Sequence, residues 1–149
     1  MSSSVTTAPF STAWVSDAVA PAIRVAVVDD HPLVRDSIRR LLGGQLDMEW
    51  VGEASDGAEA VELVARTSPD VVVMDLSMPG TDGLTATQQV VSLFTDTRVL
   101  VLTTSADPSR FRRSMDAGAT AVVDKDGNPA TVLAGIRDVA RTTRSTGPA

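Results

Sequence analysis

From Ile23 onward the chain alternates between two textures, and that alternation restricts the fold more than any other feature. Five short segments rich in β-branched residues read as strands: IRVAVV at 23–28, DMEWVGEA at 47–54, DVVVMD at 70–75, RVLVLTT at 98–104 and ATAVVD at 119–124. Longer segments with helical spacing follow each of them. Val34, Ile38, Leu41 and Leu42 share one face of the first, which Gly43-Gly44 stop. Ala58, Val61, Val64 and Ala65 do the same in the second, and Val132, Leu133, Ile136, Val139 and Ala140 in the last. The third, about 84–94, and the fourth, about 108–117, are less clearly amphipathic. Repeated strand–helix units predict an α/β domain: a doubly wound, five-stranded parallel sheet with helices on both faces. Right-handed crossovers leave 2-1-3-4-5 as the natural strand order.

Composition narrows the chemistry. The 149 residues suffice for one ordinary domain, with 43% hydrophobic residues but only 3% aromatic, so the core is expected to be aliphatic. A net charge of −6 argues against nucleic acid as a direct partner. The lack of cysteine excludes disulfides, thiol catalysis and zinc-thiolate sites. No apolar run reaches the roughly 18–20 residues of a membrane helix, and a cytoplasmic location is expected. Residues 1–22 are rich in Ser, Thr and Ala and carry no Lys or Arg. AVA at 18–20 looks slightly like a signal-peptidase site, but the basic start and continuous apolar stretch of a leader are missing. The segment reads as a flexible N-terminal extension, residues 23–142 as the folded domain, and 143–149 as a tail or the start of a linker.

In a sheet of this order, ligands bind beyond the carboxyl ends of the strands, at the point where the winding reverses. The first strand runs into Asp29-Asp30, the third ends in Asp75, the fourth in Thr103-Thr104 and the fifth in Asp124-Lys125. Asp75 closes the most apolar run of the chain, where a carboxylate is costly unless something pairs with it. Carboxylates brought together repel one another, and a divalent cation is the plain remedy. Magnesium suits a few carboxylates, a carbonyl and retained waters. A lysine and a hydroxyl opposite them suit a phosphoryl group, because both donate hydrogen bonds to its oxygens.

Four stretches, VVDDHPLVRDSIRRLL, DVVVMDLSMPGTDGL, VLVLTT and AGATAVVDKD, resemble in order and spacing the motifs of the receiver domain of two-component response regulators, across roughly residues 23–142. The resemblance implies a flavodoxin-like (βα)5 fold. It makes Asp75 the phosphoacceptor, and Asp29 and Asp30 the metal pocket for Mg2+, with Asp75 and the backbone carbonyl of Ser77 completing the protein ligands. Thr103 becomes the switch hydroxyl, with Thr104 as its neighbouring rival, and Lys125 the phosphate-binding lysine. The implied function is a phosphoryl-accepting signalling switch, catalysing only its own phosphorylation and dephosphorylation. Its partners are a sensor histidine kinase or phosphotransfer protein, and homodimerisation is a candidate assembly. The wording DDHPLVR looks most like receivers of LuxR-type DNA-binding regulators. The alternative is therefore the receiver portion of such a transcription regulator, because the residues after 142 are too few for a helix-turn-helix. Ser77 and Ser105, the positions that tune hydrolysis in this family, are short and neutral, which implies a long-lived acyl phosphate. One departure is Val122, which stands where receivers usually carry a mobile aromatic ring.

Simpler readings exist for each residue. Asp29 or Asp30 could cap the helix opening at Pro32, Thr103 could be an ordinary strand residue, and Lys125 a solvated loop charge. His31, the sole histidine, reads as a partly exposed neighbour of the acidic pocket. Arg110, Arg112 and Arg113 read as a solvated helix face or a docking site. Pro79-Gly80 and Asp82-Gly83 set the turn after the third strand. A haloacid-dehalogenase phosphatase would need an aspartate at position 77, which is Ser.

Overall fold

The computed structural model describes residues 21–76, 82–104, 107–125 and 128–142. Most of the 1–22 extension, Ser77, Ser105 and the 143–149 tail lie outside the described residues. Five strands, β1 (Ile23–Val28), β2 (Met48–Ala54), β3 (Val71–Asp75), β4 (Arg98–Thr103) and β5 (Ala121–Asp124), alternate with five helices. These are α1 (Pro32–Gly43), α2 (Gly57–Thr67), α3 (Gly83–Leu93), α4 (Pro108–Asp116) and α5 (Pro129–Arg141). The sheet is parallel in the order β2-β1-β3-β4-β5, as the alternation predicts.

The central strands are apolar away from their ends because both sides of the sheet are covered. Val72, Met74, Val99 and Val101 pack with Ala60, Leu63, Val64, Ala86 and Val90 under α2 and α3. Val25, Val27, Val73, Leu100 and Leu102 pack with Ile38, Leu42, Leu133, Ile136 and Val139 under α1 and α5. The edge strand β2 differs, with Glu49 and Glu53 exposed between buried residues.

The buried face of α2 is rotated from the expected one. Ala60, Leu63 and Val64 are buried, Val61 is half-buried, and Ala58 and Ala65 are exposed. Leu63 has far more apolar surface to hide than either alanine, so it sets the angle. Within α4 only Ser114 is buried, whereas Phe111 and Met115 are exposed. Strand boundaries also shorten. β3 starts after Asp70, whose carboxylate is turned aside to accept the Arg24 amide at 2.9 Å. β5 starts at Ala121, after the positive-φ turn at Gly118.

Two features aim the sheet's carboxyl edge. The register sets Asp75 beside Leu102 and Thr103 beside Asp124, so Asp75, Thr103 and Lys125 emerge on one line. After β3, α3 opens with Asp82, whose side chain accepts the Thr85 amide at 2.8 Å. Gly83 then lies directly on the β3 exit. A Cβ there would fall on the Asp75 carbonyl oxygen and 2.6 Å from the Leu76 Cα. Glycine is required by this close approach of backbone to backbone.

Candidate functional site

Asp29 and Asp75 are almost fully buried, at 1% and 2% exposure, at the ends of β1 and β3. Lys125, just past β5, extends its side chain between them. Its Nζ lies 2.8 Å from Asp29 Oδ2 and 3.3 Å from Asp75 Oδ1. Its backbone amide donates to the Thr103 carbonyl at 2.6 Å, which fixes where the side chain begins. Burial works to lower the Lys125 pKa. The hydrogen bond to Asp29 and the charges of Asp29 and Asp75 together outweigh it and hold the ammonium above its ordinary range.

The other Asp29 oxygen is held by His31. Both the backbone N–H and the ring Nδ1 of His31 lie 2.9 Å from Asp29 Oδ1, and Nδ1 is 3.1 Å from Asp30 Oδ1. His31 is the N-cap residue of α1, with no side-chain capping bond, and Pro32 opens the helix. Asp29 and Asp30 therefore face the pocket and do not cap α1. Arg35, one turn into α1, donates to the Asp29 carbonyl at 2.6 Å and pairs with Glu53 at 3.2 Å.

Thr103 is buried at the end of β4, and its Oγ1 accepts a hydrogen bond from Arg110 Nη1 at 3.3 Å. Thr104 is exposed. Val122 is half-buried on the same side of the sheet as α2 and α3. Asp29, Asp30, Thr103, Asp75 and Lys125 thus meet at one edge, as the strand ends predict, while Ser77 falls outside the described residues. Ligand atoms of Asp29, Asp30, His31 and Asp75 lie within 4.8 Å of one another. Three carboxylates make a hard, oxygen-rich donor set, which fits Mg2+. Arg110 is the residue that sequence reasoning missed. Three arginines within four positions look alike in one dimension, and only the fold turns the first of them toward the site.

Residues 25–137 match the family described as the response regulator receiver domain. The chain belongs to this family. Over 115 residues it is 41% identical to the transcriptional regulatory protein LiaR of Bacillus subtilis, covering 77% of this chain and 54% of that protein. It is 40% identical over 117 residues to the response regulator UvrY of Escherichia coli, covering 78% and 54%. The chain spans about half the length of these curated relatives. Among solved structures, the signal receiver domain of NarL from Mycobacterium tuberculosis superposes with a TM-score of 0.79 at 35% identity, over 83% of this chain and all of that one. A LuxR-family two-component response regulator from Aurantimonas gives 0.78 at 35%, over 85% and 91%. The receiver domain has the fold that its alternation predicts, and among the described residues no helix is long and apolar enough to cross a membrane.

Proposed function

We propose that Asp75 of this receiver accepts a phosphoryl group from a phosphohistidine of a sensor kinase or phosphotransfer protein in the cytoplasm. The observation that carries the reading is the Lys125 ammonium set between Asp29 and Asp75, 2.8 and 3.3 Å away, at the sheet's carboxyl edge. An Asp75 carboxylate oxygen attacks phosphorus. The P–N bond breaks, and its electron pair returns to the imidazole, which takes up a proton. Lys125 stays protonated because its neighbours hold its pKa up, so it is ready to donate to a phosphoryl oxygen. The Thr103 hydroxyl is the second donor. Asp29, Asp30, Asp75 and the Ser77 carbonyl would hold a magnesium ion, which would supply positive charge for the phosphoryl oxygens and the attacking carboxylate. The chain catalyses only its own phosphorylation and dephosphorylation.

Incubation with acetyl phosphate and magnesium is expected to add one phosphoryl group, read by intact mass. The Asp75→Asn variant is expected to add none, and unchanged uptake would refute the assignment.

The output has a second reading. LiaR, roughly twice the matched length, is described as a transcriptional regulatory protein, which favours a receiver serving a LuxR-type DNA-binding regulator. Whether the reading frame continues beyond Ala149 into a helix-turn-helix decides between that and a receiver acting by protein contact alone.

A further inference from the structure

The Arg110–Thr103 hydrogen bond joins the buried hydroxyl of the site to the most weakly anchored helix of the fold. α4 buries Ser114 alone, and that hydroxyl is turned back onto its own helix, donating to the Arg110 carbonyl at 2.8 Å. The first turn of α4 is held by Asp107, whose carboxylate accepts the Arg110 amide at 2.8 Å. Arg110 is therefore tied at its backbone to the α4 cap and at its guanidinium to Thr103 Oγ1, 3.3 Å away.

A hydroxyl has one proton to donate and two lone pairs to accept with. Thr103 can thus donate to a phosphoryl oxygen on Asp75 and still accept from Arg110. The resulting chain, guanidinium to hydroxyl to phosphoryl oxygen, is mutually polarising, so each link strengthens the other. The acyl phosphate also carries roughly −1.5 to −2 charges where the carboxylate carried one, and the added charge draws the guanidinium in the same direction as the hydroxyl. Val122, the neighbouring half-buried side chain of β5, has no polar atom with which to respond to that charge.

We infer that Arg110 is the residue that couples the state of Asp75 to α4: when Thr103 is drawn to the acyl phosphate, Arg110 follows and carries the first turn of α4 with it. Arg110 acts through Thr103 and is a positioning residue. The inference rests on the phosphoacceptor reading of Asp75. The surface it changes carries Phe111 and Met115, both exposed on α4.

The test compares wild type, Arg110→Ala, Arg110→Lys and Arg112→Ala with and without acetyl phosphate and magnesium. Intact mass reads phosphoryl uptake, and hydrogen exchange reads the α4 amides. In the wild type and in Arg112→Ala, phosphorylation is expected to change α4 exchange by about fivefold or more, a coupling of the ordinary allosteric size. In Arg110→Ala, uptake is expected to stay within about twofold while the α4 change falls below about twofold. Arg110→Lys restores part of the response, since an ammonium donates to the hydroxyl without the guanidinium fork. A phosphorylated Arg110→Ala whose α4 responds fully overturns the inference. A phosphorylated wild type with an unchanged α4, or an Arg110→Ala that takes up no phosphoryl group, also overturns it. Failure of the wild type to accept phosphoryl refutes the phosphoacceptor reading, and the coupling falls with it.

Discussion

The two ends of one sheet are built to opposite rules. At the amino end, most charges meet partners that satisfy them. The Arg24 guanidinium lies at the C-terminus of α2, donating to the carbonyls of Thr67 and Ser68, the latter at 2.7 Å, where a cation suits the helix dipole. Asp70 accepts the Arg24 amide, and Thr97 Oγ1 donates to the Pro69 carbonyl at 2.9 Å. Arg137 grips Asp47 with two bonds of 2.8 and 2.9 Å. At the carboxyl end, Asp29, Asp30 and Asp75 crowd together, and Lys125 reaches two of them. Arg24, Asp70, Arg137 and Asp47 are matched at one end, where the buried Arg98 Nε is the exception, and the other end holds a surplus of negative charge. The first stabilises the domain, and the second gives up stability to keep a site that a cation and a phosphoryl group can enter.

The comparison yields expectations in decreasing order. Arg24→Met at the amino end leaves two helix-terminal carbonyls without their charged donor. Its unfolding free energy from urea denaturation is expected to fall by about 2–3 kcal/mol, the range for hydrogen bonds to charged groups. A loss under about 0.5 kcal/mol, the level of an ordinary surface change, would break the comparison at that end.

Lys125→Gln removes the ammonium between Asp29 and Asp75. It is expected to cost about 1–2 kcal/mol, less than a fully enclosed pair because the Lys125 side chain keeps some contact with solvent. Its pH signature has a definite sign. The folded pKa of Lys125 is raised above the ordinary 10.5, so its contribution is complete below that value. It is lost as the pH rises through the higher folded value. From neutral pH upward, the melting-temperature gap between wild type and Lys125→Gln should therefore narrow only in strongly alkaline buffer. A gap that narrows toward neutral pH would contradict the pairing.

The smallest expected effect runs the other way. Asp30→Asn relieves repulsion at the carboxyl end and is expected to raise stability in chelator by up to about 1 kcal/mol, the scale of one pKa unit. It should also weaken the stabilisation that magnesium gives the wild type. Melting curves in chelator and in magnesium read both, and a destabilised Asp30→Asn in chelator would show that the carboxyl end carries no surplus.

Much of this was legible in one dimension. β-branched runs marked every strand to within about two residues, and 3.6-residue periods marked the first, second and last helices, because central strands covered on both sides must be apolar and core-facing helices must be striped. Asp29, Asp30 and Asp75 were legible because the winding of such a sheet gathers strand ends, while the choice of Thr103 over Thr104 and of Lys125 came from the resemblance to receiver domains. What escaped were features decided by contact. Asp70 reads as strand, but pairing with Arg24 removes it from β3. Ala58 and Ala65 fit a helical stripe, yet Leu63 sets the buried face of α2. Nothing in the order of residues separates Arg110 from Arg112 and Arg113, because the distinction lies in the angle at which α4 meets β4.

Gly83 gives the acceptor strand a mechanical neighbour as well as a chemical one. Its missing side chain lets the first peptide of α3 rest on the Asp75–Leu76 backbone with no clearance for even one carbon atom. A joint without slack works as a strut: a rotation of the Asp75 peptide has no gap to be lost in and bears at once on α3. α4, by contrast, is tied to the site by the Arg110–Thr103 side-chain hydrogen bond, which can lengthen and re-form. The acceptor is therefore flanked by one rigid lever and one compliant one, and a methyl group at position 83 would jam the first while leaving the second free to swing.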